Sequence, residues 1–202
     1  LVHLTPIGLD HQAFLGNDRE SIGFEKAGVL RRGVKVVLND VDPPQSVLGE
    51  IDRLACNCVR IGRDYHLEPR EGNQFLWRSN DREYLLDNVL TGVHQMHNLA
   101  GVVAGLSLLL ALDDYSPEQL RAGFHGTRVA GRLQELQSRL PCRLIVDVGH
   151  NQDAARVLSA SMAELKQDGG RVVVLLGMLE DKQPDLFVEA LKPAFDAWWA
   201  MT

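Results

Sequence analysis

The chain has 202 residues and 45% apolar content, enough to bury one generous core or two modest ones. A formal net charge of −6 argues against a general nucleic-acid binder, because phosphate backbones reward clustered Lys and Arg. No segment reaches the ~20 uninterrupted apolar residues that a bilayer span needs. Cys56, Cys58 and Cys142 make an odd set without disulfide or zinc spacing, and Cys56-x-Cys58, between a helix and a strand, reads as packed thiols in a reducing cytoplasm. No signal peptide is recognisable, the first residue is Leu1, and the last stretch is Ala197-Trp198-Trp199-Ala200-Met201-Thr202; both ends read as cut from something longer.

Leu4-Thr5-Pro6-Ile7-Gly8 reads as a strand tail running into a loop, which places Asp10 and His11 at a strand's carboxyl end, where open α/β sheets bind ligands. His11 there is either a metal ligand or proton carrier, or a polar loop residue bonded to nearby backbone. Asn17-Asp18 offers an N-cap for a short helix from Arg19 through Glu25 and Lys26 that stops near Gly28. Lys26, in its last turn, either complements the helix dipole or, between apolar neighbours, loses its proton and becomes reactive. Val34 to Leu38 reads as a buried strand, Asp42-Pro43-Pro44 as its closing turn, Ser46 to Ala55 as a helix and Cys58 to Gly62 as another strand. Tyr65–Glu68, Gln74–Arg78 and Glu83–Leu86, with polar breaks between them, suggest an antiparallel set appended to a parallel sheet, and His66 within it reads as structural.

From Val93 to Leu112 the spacing predicts a long helix, with Asn98 near its start and Gly101 and Gly105 permitting close packing. His94 and His97, at i and i+3, could hold a metal or simply hydrogen-bond at the helix entry. Ser116-Pro117-Glu118-Gln119 is a capping box with proline at the first helical position, opening a helix to about Gly123. Phe124 to Leu133 reads as a linker, with a domain boundary near residue 128. Arg143 to Asn151 predicts a parallel strand delivering Asp147 and His150 at its end, followed by a helix from Asp153 to Lys166 and a strand from Arg171 to Leu176 as a βαβ unit. A helix from Pro184 to Leu191 and a strand at Trp198 to Met201 extend an unfinished sheet.

The run Ile7-Gly8-Leu9-Asp10-His11, Leu15-Gly16, Ile22 and Glu25-Lys26-Ala27-Gly28-Val29-Leu30-Arg31 resembles the dihydrofolate synthase/folylpolyglutamate synthase branch of the Mur ligase family. The resemblance implies that His11 is similar to a magnesium ligand and Lys26 to a lysine that carries a carbamate. An amine that captures carbon dioxide turns from cation to anion and can then stand beside magnesium bound to nucleotide phosphates. His97-Asn98-Leu99-Ala100-Gly101 resembles the family's HNLAGA motif, which gives Asn98 the adenine. Gly131-Arg132 resembles the GR whose arginine reaches the phosphates from the hinge, although Ala130 stands where relatives have proline. Asp147 to Asn151 resembles D-x-A-H-N-P, with Gly149 for alanine and Gln152 for proline; Asp147 is then similar to a ribose-binding aspartate and His150 lies near the phosphates. On the residues alone, Arg132 is equally a solvated surface side chain and Asp147 equally a cap of the following helix. Gly177 to Lys182 resembles GMLxDKD, which puts Asp181 and Lys182 near the acceptor amino acid, with Gln183 in place of the last aspartate.

The implied fold is α/β: residues 1–127 as the latter part of a Mur-ligase-type central ATPase domain with added antiparallel strands, and residues 128–202 as the first half of a Rossmann-like C-terminal domain. Neither GxxxxGK[ST] nor the family's GTNGKGS loop occurs in the sequence, so the usual cradle for transferable phosphates is missing and the chain by itself is expected not to turn over. The implied parent is a cytoplasmic ATP-dependent ligase that uses ATP and Mg2+ to add L-glutamate to dihydropteroate or tetrahydrofolate through an acyl phosphate. It would hold the nucleotide between its domains with Asn98, Arg132 and Asp147, engage no nucleic acid or membrane, and work as a monomer, although the half-sheets of a fragment can self-associate. Two other readings stand beside it: a non-catalytic nucleotide-binding or interaction module on the same scaffold, and a sibling Mur-type ligase acting on a cell-wall precursor.

Overall fold

The computed structural model describes residues 1–9, 15–90, 93–109, 115–166, 170–179, 182 and 184–201. The chain divides into two compact units, Leu1–Leu90 with Gln95–Thr127, and Thr91–His94 with Arg128–Thr202. No helix among the described residues is long and apolar enough to cross a membrane.

In the first unit, β1 (Val2–Leu4), β2 (Lys35–Leu38) and β3 (Asn57–Arg60) form a parallel sheet in that order. The crossovers are α1 (Arg19–Ala27) and α2 (Gln45–Arg53). Strand β2 is apolar on both sides because both of its faces are covered: Val36 and Leu38 join a core with Ile22, Ala27, Val47 and Ile51, whereas Val37 points the other way. Helix α1 starts where Asp18 accepts the Ser21 N–H at 2.8 Å, and it closes at Gly28, whose N–H reaches back to the Glu25 carbonyl.

A second sheet, antiparallel, follows at once: β4 (Tyr65–Arg70), β5 (Gln74–Ser79) and β6 (Glu83–Asp87). Gly72 and Asn73, both at positive φ, make the first reversal. Its inner face carries Phe75, Trp77, Tyr84 and Leu86, which pack with Val37 of β2 and with Leu99, Ala100 and Val103 of α3 (Val93–Leu109). Trp77 is 1% exposed, lies beside Tyr65 and Tyr84, and donates its indole N–H to the Ala100 carbonyl at 3.1 Å. Helix α4 (Pro117–His125) begins on the expected capping box, with both reciprocal bonds present, and runs two residues past Gly123.

The second unit contains β7 (Gln134–Leu136) and β8 (Leu144–Val146), α5 (Gln152–Leu165), β9 (Val173–Leu176), α6 (Pro184–Leu191), a short 3-10 turn (Lys192–Ala194) and β10 (Ala197–Ala200). Here the pairing differs from the expected parallel βαβ unit. β8 is three residues long and ladders antiparallel to β7, whereas β9 pairs in parallel with β10 across α6. β7 is a strand that the local pattern Gln134-Glu135-Leu136 does not announce. Ala155, Leu158 and Met162 of α5 recur at helical spacing and bury against Leu133, Phe187, Leu191 and Ala194.

Candidate functional site

In the first unit the sheet ends are tied by charge-assisted bonds. Buried Asp40, just past β2, accepts the N–H groups of Ile7 at 2.9 Å and Asp42 at 3.0 Å. Arg19, the first residue of α1, donates to the carbonyls of Ile7 at 2.8 Å and Asp42 at 2.6 Å and pairs with the Asp42 carboxylate at 3.0 Å. The chain entering residues 10–14 is thereby fixed to the carboxyl end of the sheet. His11 lies outside the described residues. Sequence reasoning passed over Arg19 and Asp40, although a carboxylate directly after the strand Val36-Val37-Leu38 was a usable signal.

Lys26 sits in the last turn of α1, one turn beyond fully buried Ile22, and is itself half-buried. Among the described residues no carboxylate pairs with its amine. Nor is there among them a group of three or more His, Cys, Asp or Glu that could hold a metal ion. Magnesium keeps several waters and takes one or two carboxylate-like oxygens plus substrate phosphates. A carbamate on Lys26 would be one such donor.

Asn98 stands in the second turn of α3, half-buried, and donates one amide hydrogen to Gln95 Oε1 at 3.0 Å. Gln95 is buried, so it sets which way the Asn98 amide faces and leaves the carbonyl and the second N–H available. The helix itself is anchored by Asn39, which donates to the His97 carbonyl at 2.8 Å and accepts from the Tyr65 hydroxyl at 2.8 Å. Gly101 lets this happen: a Cβ there would overlap His3 Nε2, lie 2.5 Å from His3 Cε1 and 3.0 Å from Asn39 Nδ2. Burial lowers the pKa values of His3 and His97.

In the second unit, Arg132 is exposed between two left-handed residues, Gly131 at φ +65 and Leu133 at φ +43. The turn is docked at several points. Gly131 donates to Gln134 Oε1 at 2.9 Å and accepts from Val148 N–H at 2.8 Å, and Leu133 N–H donates to Asp147 Oδ2 at 2.9 Å. The other Asp147 oxygen accepts the Gly149 N–H at 2.7 Å. Asp147 therefore does not cap α5; Asn151 does, through the Ala154 N–H at 2.8 Å. His150 follows in the loop rather than on the strand, and its Nδ1–H donates to the Val148 carbonyl at 3.1 Å. Arg132, Leu133, Asp147, Ala154, Val157 and Leu158 border a recess of about 90 Å³, too small to enclose a ligand on its own. Lys182 is half-buried beside the Leu179 carbonyl, and Asp181 lies outside the described residues.

Burial also pushes the Cys58 thiol up to about 11, while Cys142 is exposed; all three cysteines are free thiols.

The Mur ligase glutamate ligase domain matches residues 131–202. The dihydrofolate synthase/folylpolyglutamate synthase of Haemophilus influenzae is 32% identical over 218 residues, covering 100% of this chain and 48% of its own. Escherichia coli FolC in complex with DHPP and ADP superposes with a TM-score of 0.84 at 29% identity, covering 98% of this chain and 46% of that one. The bifunctional folylpolyglutamate synthase/dihydrofolate synthase of Yersinia pestis, complexed with AMPPNP and Mn ion, gives 0.81 at 32% identity, with 98% and 46% covered. The chain spans about half the length of the curated relatives it matches.

Proposed function

Because this chain belongs to the dihydrofolate synthase/folylpolyglutamate synthase branch of the Mur ligase family, we propose that the full-length gene product is an ATP-dependent carboxylate–amine ligase. Its substrates are L-glutamate and a dihydropteroate or folate carboxylate. The observation that carries this reading is the glutamate ligase domain at residues 131–202, joined to relatives that match along nearly the whole chain.

The reaction proceeds in two displacements. A carboxylate oxygen attacks the γ-phosphorus of ATP and the bond to the β-phosphate oxygen breaks, leaving an acyl phosphate and ADP. The glutamate amine then attacks the acyl carbon, phosphate departs, and the amine proton goes to solvent or a base. Magnesium, when bound, neutralises charge on the transferring phosphoryl group. In the first unit, Lys26 as a carbamate and His11 would hold that cation, and the free edge of the Asn98 amide would pair with adenine through one donor and one acceptor. In the second unit, Arg132 neutralises phosphate and Asp147 keeps a lone pair on each oxygen for a ribose hydroxyl. His150 lies near the phosphates, and Asp181 with Lys182 lines the acceptor region. The setting is the cytoplasm, in keeping with the free thiols, and the working species is a monomer.

The test is to express the gene at full length and measure ADP release with dihydropteroate, with tetrahydrofolate and with a cell-wall precursor, each with and without L-glutamate. Glutamate-dependent release with either pterin substrate is expected. Release only with the cell-wall precursor, or with none of the three, would refute the proposal.

A further inference from the structure

We infer that Asp147 is a positioning residue: its carboxylate holds the Gly131-Arg132-Leu133 turn in the shape that presents Arg132 to an anionic phosphate. The inference rests on the nucleotide reading above and extends it, because it assigns Asp147 a task that acts through another side chain.

A turn with two of three residues in the left-handed region does not form by default. Leucine is disfavoured in that region, and Leu133 accepts this conformation while it is only 7% exposed in the core with Met162 and Ala194. Something must hold it. Gly131 is required on its side, since a Cβ there would lie 2.6 Å from Val148 Cγ1. On the other side the Leu133 amide is satisfied by Asp147 Oδ2 at 2.9 Å, across 14 residues of sequence. The second Asp147 oxygen accepts the Gly149 N–H at 2.7 Å, so both carboxylate oxygens are engaged by backbone amides; a side chain at Gly149 would crowd this contact, its Cβ 2.8 Å from Oδ1. Between the two left-handed residues, Arg132 alone projects as an exposed side chain, and no carboxylate among the described residues pairs with it. Its direction is set by backbone that Asp147 fastens. A guanidinium so mounted, with its ordering cost already met by the fold, recognises a phosphate better than one on a loose loop.

The experiment compares ADP with adenosine in the full-length protein, by calorimetry or ligand-observed NMR, for wild type, Asp147→Ala, Arg132→Ala and the double variant. Asp147→Asn, which keeps one acceptor oxygen, guards against a variant that does not fold. Asp147→Ala removes the ribose contact from both ligands, and is expected to weaken ADP about tenfold or more beyond the loss it causes for adenosine. In the double variant, the loss of ADP binding should fall short of the sum of the two single losses. Amide hydrogen exchange should accelerate at Leu133 and Gly149 in Asp147→Ala. Equal losses for adenosine and ADP, or additive losses in the double variant, would mean that Asp147 acts only at the ribose and would overturn the inference. Unchanged exchange at Leu133 would remove the fastening while leaving nucleotide binding intact. A wild-type protein that binds neither ligand would remove the nucleotide reading itself, and the inference with it.

Discussion

Gly101→Ala measures how tightly α3 is pressed onto the parallel sheet of the first unit. On an isolated helix the change would be favourable by about 1 kcal/mol, because alanine has the better helix propensity. Here the new methyl would overlap His3 Nε2 and lie 3.0 Å from Asn39 Nδ2. The His3 ring, its Nε2 buried, is the nearer obstacle, and Asn39 is 1% exposed and bonded at both ends, to the His97 carbonyl and the Tyr65 hydroxyl. Overpacking of this kind costs about 1–3 kcal/mol, and the fixed Asn39 argues for the upper figure, giving a net loss of about 2 kcal/mol. Urea unfolding followed by circular dichroism reads this directly. Repeated in a His3→Ala background, the loss should shrink by about 1 kcal/mol or more, since one of the two obstacles is gone. A Gly101→Ala protein more stable than wild type, or an identical cost in both backgrounds, would refute the close approach.

Tyr65→Phe removes the donor to buried Asn39 Oδ1 and should cost about 1–3 kcal/mol in the same urea assay. Cys58, with its thiol raised from 9.0 to about 11, stays protonated in the fold; its contribution to stability is full below about pH 9 and is lost as pH rises toward 11. Cys58→Ala should therefore flatten the alkaline limb of stability against pH, and alkylation of the native protein should modify Cys142 well before Cys58. His3 and His97 run the other way: their lowered pKa values give stability that is present above about 6.5 and lost as pH falls, so His3→Ala should reduce acid sensitivity in urea midpoints. In the full-length protein, a sample equilibrated with 13C-bicarbonate should show a carbamate carbon resonance that disappears in Lys26→Arg.

Elements specified by neighbours in sequence were legible in the chain. Asp18 and Gly28 bracket α1, Ser116 to Gln119 opens α4, and the polar breaks at residues 71–73 and 79–81 mark out β4, β5 and β6. These signals depend on caps and turns that act within a few residues. β7 was not legible, because Gln134-Glu135-Leu136 owes its strand character to pairing with Leu144 to Val146, not to its own spacing. For the same reason an apolar run ending at Asp147 read as a parallel strand, when the register that decides its partner lies elsewhere. At the candidate site, residue types could be matched to a family pattern, but their occupancy could not. That Asp147 already accepts two backbone amides, or that Gln95 turns the Asn98 amide, depends on which groups the fold brings together.

Trp77 has an optical consequence. The chain has three tryptophans: Trp77 alone in the first unit, and Trp198 and Trp199 adjacent in the second. Trp77 is sealed from water, whereas Trp199 is 65% exposed. Iodide should therefore quench emission from the second unit and spare the first, and Trp77→Phe would silence one half completely. Each unit thus carries an intrinsic fluorescent reporter of its own unfolding, with no label attached.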